Sequence, residues 1–180
     1  MFQKFQNHLL EEFPDLRQQK ILLALSGGLD SCVLLALCMR EGLQVAIAHC
    51  NFQLRGEQSD EDALWIKKLA AERSLECHIK KFDTINYAEK EKLSVQMAAR
   101  NLRYEWFDAL SAKFSYDAVL VAHHADDALE TFMINTMRGS GLKGLLGIPQ
   151  TRGKIIRPLL PFTRTDVINY ANKHKIDWRE

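Results

Sequence analysis

Ser26-Gly27-Gly28-Leu29-Asp30-Ser31 combines residue types that suit a polyphosphate. Gly27 and Gly28 open backbone angles closed to other residues and let main-chain amides approach a phosphate closely. Ser26 and Ser31 add hydroxyls, and a helix starting here presents the positive end of its dipole. Asp30 would repel phosphate unless a divalent cation stood between them, so the loop predicts ATP held with Mg²⁺ through Asp30. The bland alternative is a strand-to-helix turn with Asp30 or Ser31 as helix cap, but a cap does not need two glycines flanked by serines. The loop lacks the G-K-[ST] ending of a Walker loop and the spacing of a dinucleotide G-x-G-x-x-G.

Further polar groups follow other apolar runs. His49 and Asn51 end one, with Arg55 beyond; His123-His124-Ala125-Asp126-Asp127 ends another, with Glu130 and Thr131 a turn later; Arg157 ends a third. On a helix over 94–114, Gln96, Arg100, Arg103 and Phe107 fall on one stripe, and Val95, Ala99, Leu102 and Trp106 on a neighbouring stripe that should face the core. Two arginines beside a core stripe suit phosphate or an RNA backbone, against the alternative of a solvated face with surface ion pairs. Asp127, Glu130 and Thr131 lie opposite a Leu129-Phe132-Met133-Thr136 stripe expected to face the core. Their carboxylates suit an ammonium group, although acidic residues also favour a first helical turn through the dipole alone. His49, His123 and His124 lack zinc-site spacing, which leaves contact with adenine or an adenylate as their better use.

These residues must be positioned by a particular scaffold. Ile21–Leu25, Val45–Ala48, a weaker run at Cys77–Phe82, Ala118–Ala122 and Lys154–Arg157 read as strands. Helices follow near Ser31–Cys38, Ser59–Arg73 (Ser59 and Asp62 in capping spacing), Val95–Phe114 (Ser94 cap), Asp126–Met137 and Thr165–His174 (Thr163 and Asp166 in capping spacing). An opening helix carrying Phe2, Phe5, Leu9 and Phe13 should pack on the core. Strands apolar on consecutive residues are buried on both faces. The alternation predicts an α/β fold, a doubly wound, mostly parallel five-stranded sheet with helices on both faces, in one domain over 1–180. Ligands of such sheets bind beyond the carboxyl ends of the strands, where the chemistry-bearing residues collect.

Composition narrows the setting. A formal net charge of +1 argues against the strongly basic footprint of a stand-alone nucleic-acid binder, while leaving room for a local RNA contact. The 4 cysteines form no C-x-x-C pair, and Cys32 and Cys38 read as buried helix residues. Met1–Pro14 lacks the apolar core of a signal peptide, and no apolar run approaches the roughly 18 residues of a membrane span. The expectation is a cytoplasmic protein without membrane contact.

The loop S-G-G-x-D-S resembles the pyrophosphatase-type loop of the N-type ATP pyrophosphatases, which cleave ATP between its α- and β-phosphates and form adenylated intermediates. Further blocks resemble one family within that superfamily, the tRNA(Ile)-lysidine synthetases. They are His49-Cys50-Asn51-Phe52-Gln53-Leu54-Arg55-Gly56, Gln96 to Tyr104, His123 to Thr131, Arg138 to Leu142 and Ile156 to Leu160, in order over roughly residues 20–178. Phe52 stands where the family has histidine. The resemblance implies adenylation of C2 of the wobble cytidine (position 34) in tRNA(Ile) with a CAU anticodon, then attack by free L-lysine to give lysidine. It implies ATP contacts from Ser26 through Ser31, His49 and Asn51; catalytic roles for Asp30, Arg100, His123, Asp127 and Glu130; and substrate contacts from Arg55, Gln96, Arg103, Asp127, Glu130, Thr131 and Arg157. It also implies that the chain is a catalytic domain truncated before C-terminal tRNA-binding domains; a homodimer stays open. Two other readings are a tRNA thiolase, which the cysteine spacing does not favour, and a nucleotide-binding module without turnover.

Overall fold

The structure is a computed structural model and describes residues 1–137 and 147–179, so the Arg138–Leu142 block lies outside the described residues. In chain order the elements are α1 (Phe2–Glu12), a short 3₁₀ turn (Pro14–Gln18), β1 (Ile21–Ala24), α2 (Leu29–Arg40), β2 (Val45–Asn51), α3 (Glu57–Glu72) and β3 (Cys77–Lys81). Then come α4 (Thr84–Glu91), α5 (Val95–Phe114), β4 (Ala118–Leu120), α6 (Ala125–Met137), β5 (Thr151–Arg152), β6 (Ile155–Ile156) and α7 (Arg164–His174). The sheet order is β3-β2-β1-β4-β6-β5, parallel throughout except that β5 pairs antiparallel with β6.

Alternation along the central strands divides the core. Ile21, Leu23, Leu25, Val45, Ile47, Ala118 and Leu120 face one side, where Phe5 and Leu9 of α1, Leu34 and Leu37 of α2, Ile66 of α3 and Val167 of α7 cover them. Leu22, Ala46, Ala48, Val119 and Val121 face the other, against Trp106, Phe107 and Leu110 of α5. Each strand thus feeds two cores, which is why the runs are apolar without interruption.

The expected doubly wound fold with helices on both faces is present, with differences of detail. The sheet has six strands because Gly153 (φ +58) allows Thr151–Arg152 to fold back on Ile155–Ile156, a pairing too short to read as periodicity. Helix α3 starts at Glu57 after Gly56, without a side-chain cap; Ser59 Oγ instead accepts from the Arg55 amide at 3.1 Å. Helix α4, capped by Asp83, was not anticipated from the sequence. The Ser94 cap and the Thr163–Asp166 capping box form as expected.

Two stripe assignments shift. On α5, Val95 is exposed while Phe107 is buried, so the core stripe runs through Ala98, Ala99, Trp106, Phe107 and Leu110. On α6, Leu129, Phe132 and Met133 are exposed and no residue is buried, so the expected core face is not one. Among the described residues, no helix is long and apolar enough to cross a membrane.

Candidate functional site

The connection after β1 leads to β2 on one side of it, and β4 lies on the other, so the chain reverses direction across the sheet between β1 and β4. The carboxyl ends of these two strands are where such a sheet opens a crevice. Into it project the 26–31 loop from β1 and the 123–127 segment from β4.

The loop is organised by its own hydroxyls. Ser31 Oγ donates to the Gly28 carbonyl at 2.9 Å and accepts from the Ser26 amide at 3.2 Å; the two serine hydroxyls lie 3.0 Å apart, and Ser26 Oγ accepts from the Gly28 amide at 3.2 Å. Helix α2 is N-capped by Gly28 with no side-chain cap bond, so neither Asp30 nor Ser31 is the helix cap of the bland alternative. Gly27, at φ +93, turns its carbonyl toward Cys32 Sγ (3.2 Å) and the Arg179 amide (2.9 Å). Leu29 packs against the core.

Opposite the loop, buried His124 stands among three carboxylates. Its Nε2 is 3.7 Å from Asp30 Oδ1, and its Nδ1 is 3.4 Å from Asp127 Oδ2 and 3.7 Å from Asp126 Oδ2. Asp127 Oδ2 also accepts from the His124 amide at 2.8 Å, which locks the first turn of α6. Burial raises the Asp30 carboxyl above the usual range, with His124 and Arg164 opposing and Asp127 assisting. Asp30 Oδ1 is buried without a hydrogen-bond partner. The His123 imidazole is pushed down to about 4 by burial and then by Arg157, so it is neutral at neutral pH.

At the end of β2, buried His49 donates from Nδ1 to the Leu25 carbonyl at 2.9 Å, which ties the two strand ends together and leaves Nε2 as acceptor. Burial lowers its pKa, consistent with that neutral tautomer. Asn51 is spent on positioning: Nδ2 donates to Asp60 at 2.7 Å and Oδ1 accepts from the Gln53 amide at 3.0 Å. Phe52 stacks on Phe82 with the Arg103 guanidinium 5.2 Å above its ring.

A cavity of about 280 Å³ gathers Ser26, Gly28, Asp30, Ser31, Cys50, Phe52, Arg103, Tyr104, His123 and Asp127. A second lobe of about 310 Å³ shares Ser26, Gly28, Cys50, Phe52 and Arg103 with it and adds His49, Asn51, Arg55 and Arg179. Gln96 and Glu130 are exposed, and with Thr131 they line neither lobe. Arg100 and Arg157 line an adjoining cavity on the far side of Tyr104. The two arginines of the α5 stripe therefore line different cavities, Arg103 that of the loop and Arg100 the adjoining one, although both act on His123.

A family model described as a PP-loop domain matches residues 1–180. The chain belongs to the PP-loop family. It is 46% identical over 160 residues to a tRNA(Ile)-lysidine synthase of Porphyromonas gingivalis, covering 88% of this chain and 35% of that protein. It is 42% identical over 171 residues to one of Bacteroides thetaiotaomicron, covering 95% of this chain and 40% of that protein. The chain thus spans well under half the length of these curated relatives. Among solved structures, a U34-tRNA thiolase of Methanococcus maripaludis with its iron–sulfur cluster matches at TM-score 0.80 and 19% identity, covering 99% of this chain and 65% of that one. An NMN synthetase of Francisella tularensis matches at TM-score 0.67 and 19% identity, covering 97% and 69%. At that identity the likeness is one of fold.

Two features of this PP-loop site were missed in the sequence. The resemblance implies a catalytic role for His123 and none for His124, whose place among the carboxylates depends on β4 and α2 meeting. Arg179 reaches the PP-loop from the other end of the chain: its amide holds Gly27, and its guanidinium pairs with Asp62 at 2.9 Å and Glu61 at 3.2 Å. The only sequence signal for it was the apolar Ile176 and Trp178, which pack on the core and fix the segment's course.

Proposed function

We propose that this chain carries the catalytic site of an ATP-dependent ligase that adenylates C2 of the wobble cytidine of tRNA(Ile) with a CAU anticodon and joins free L-lysine to it, releasing pyrophosphate and AMP. The observation that carries the reading is the meeting of the PP-loop with Arg103, His123 and Asp127 around one cavity, in a chain 42–46% identical to relatives named for that activity. Its compartment would be that of its tRNA, the cytoplasm.

The C2 oxygen of cytidine, an amide-like carbonyl, is a poor leaving group, and adenylation converts it into a good one. The PP-loop amides and the N-terminus of α2 would receive the departing pyrophosphate. Arg103, held over Phe52 at the junction of the two lobes, would meet charge that develops as the α–β bond breaks. His123 is neutral and suits hydrogen bonding to the base or adenylate rather than charge neutralisation. Asp127 lines the cavity opposite the loop, where its carboxylate suits the lysine ammonium or the proton that the attacking amine must lose. Glu130 and Thr131, one turn further along α6, would act at the entrance, Arg55 would meet substrate from the second lobe, and Gln96 would meet RNA outside the cavity.

Mg²⁺ fits this donor set in one way. Asp30 offers a buried carboxylate oxygen without a hydrogen-bond partner, a hard ligand suited to Mg²⁺. No group of three or more metal-ligating side chains occurs among the described residues, so the ion would come with the nucleotide, its phosphates completing the shell. When bound it would offset phosphate charge. Thiolation is less well served: Cys50 is the cysteine lining the cavity, and burial pushes its thiol up to about 12.

The test is lysine incorporation. Purified protein, tRNA with a CAU anticodon, labelled lysine and ATP should give labelled tRNA with matching AMP. Absence of label with the full-length protein sinks the reading.

A further inference from the structure

The adjoining cavity, about 490 Å³, lies between α5 and the β5–β6 hairpin and shares Tyr104 with the nucleotide cavity. Four cations line it (Arg100, Arg152, Lys154 and Arg157) against two carboxylates, Glu105 and Asp108. Among the described residues none of the four cations forms an ion pair. Arg100 lies over the Tyr104 ring at 4.9 Å, and Lys154 Nζ donates to the Tyr116 carbonyl at 2.7 Å. Clustered like charges that bypass nearby carboxylates are unfavourable to the fold by themselves.

Arg157 sharpens the point. It is 3% exposed, its Nη1 donates to the Pro149 carbonyl at 2.8 Å, and its Nε is buried with no partner. Burial presses its pKa downward against the Tyr104 hydroxyl, which raises it, and Arg100 and Arg152 add to the fall, which places the three guanidiniums in one another's field. The same residue is the leading charge acting on His123 in the nucleotide cavity. A buried guanidinium that leaves a donor unmatched costs free energy unless an anion is bound nearby. A single carboxylate brings one negative charge to four cations, whereas a polynucleotide strand brings a run of phosphates. Strand β5 is exposed and ends the sheet, so among the described residues the groove is open along the sheet edge.

We propose that this cavity binds backbone phosphates of the RNA strand, beside the nucleotide whose base enters the cavity at the PP-loop. The inference rests on the tRNA reading above and extends it to a second, phosphate-reading surface on the same domain.

The experiment uses the 180-residue chain, an anticodon stem-loop RNA with a CAU loop, and three variants: Arg152→Ala, Lys154→Ala and their double. A control, Lys68→Ala, removes a charge from exposed α3, which packs on the opposite face of the sheet from α5. RNA affinity is read between about 50 and 200 mM salt, where each lost phosphate contact should flatten the log–log slope by about 0.7–0.9. Each single variant should weaken RNA binding about 3–10-fold at the lower salt. ATP and pyrophosphate affinities should stay unchanged, and Lys68→Ala should match the parent. Four results overturn the proposal: no RNA binding by the parent chain, an unaltered slope in the double variant, an equal loss in Lys68→Ala, or a loss directed at ATP or pyrophosphate. Lysine incorporation by the full-length protein is scored separately. Incorporation with an unaltered slope removes the phosphate surface and keeps the activity, whereas absence of incorporation removes the activity whatever the slope.

Discussion

Replacing Gly27 by alanine isolates the backbone contribution to the PP-loop. Gly27 sits at φ +93, beyond the left-handed well near +57° that L residues occasionally occupy. Two bonds hold it there, from Cys32 Sγ and from the Arg179 amide. An added Cβ would lie 3.5 Å from Ile66 Cδ1 and 3.9 Å from Arg179 Cβ, ordinary contacts, so the cost is torsional rather than steric. That cost is about 1–3 kcal/mol. For a domain of this size each kcal/mol moves Tm by about 2–4 °C, which puts the fall at about 2–12 °C. If the chain escapes the strain by reshaping the loop, the same energy reappears as ATP affinity weakened by about 5–150-fold, at tenfold per 1.4 kcal/mol. Gly28→Ala is the comparison, since φ −71 and ψ 165 suit alanine and the nearest atom to the new Cβ is Ser26 Oγ at 3.5 Å. It should cost under about 1 kcal/mol, through the poorer N-cap, while its methyl group obstructs phosphate. Calorimetric unfolding and ATP titration read both variants. The reasoning fails if Gly27→Ala leaves both Tm and ATP affinity unchanged, or if Gly28→Ala is the more destabilising of the two.

Other perturbations test other parts of the site. Asp30→Ala should abolish AMP release with the fold intact; turnover at the parent rate would remove Asp30 from the chemistry. Because burial raises the Asp30 pKa, its ionised form is disfavoured in the fold above that pKa, so Asp30→Asn should raise Tm at pH 7 more than at pH 4. His123 has the opposite sign: its pKa falls from 6.5 to about 4 on folding, so its neutral form contributes stability at neutral pH that is lost as pH falls between those values. A His123→Asn variant should show a shallower acid decline there in urea titrations, with His49 still declining in the same sense. Arg179→Pro deletes the amide that holds Gly27, and should speed hydrogen exchange across residues 26–31. Arg179→Ala keeps that amide, so equal exchange in the two variants would show that the guanidinium, not the main chain, holds the loop.

The parts legible in the sequence were those in which one segment carries both signal and consequence. Ile21–Ala24 and Val45–Ala48 are apolar without interruption because helices cover both faces, and the 26–31 loop is written in consecutive residues. Ser94 and Thr163 cap the helices that their spacing announces. Stripe arguments failed where burial depends on a distant neighbour. Phe107 is buried because α5 lies across Leu22, Ala46 and Val119, and Leu129 is exposed because no described element covers that face of α6. Hairpin β5–β6 was invisible because two-residue strands have no period.

The same distinction explains the site. Sequence placed Arg100 and Arg103 together because they are one helical turn apart, yet three residues subtend about 300° on a helix, and here the difference decides the cavity. Arg103 leans over Phe52 toward the PP-loop, whereas Arg100 leans over Tyr104 toward Arg152 and Arg157. Tyr104, between them in space, becomes the wall that both cavities share. A helix carrying Arg100-x-x-Arg103-Tyr104 can therefore serve two anions at once, a nucleotide on one side of the tyrosine ring and an RNA strand on the other. This arrangement predicts that Tyr104→Ala, by joining the cavities, weakens both ligands together, while Arg103→Ala weakens ATP and Arg100→Ala weakens RNA. Equal losses of both ligands in the two arginine variants would show that the wall separates nothing.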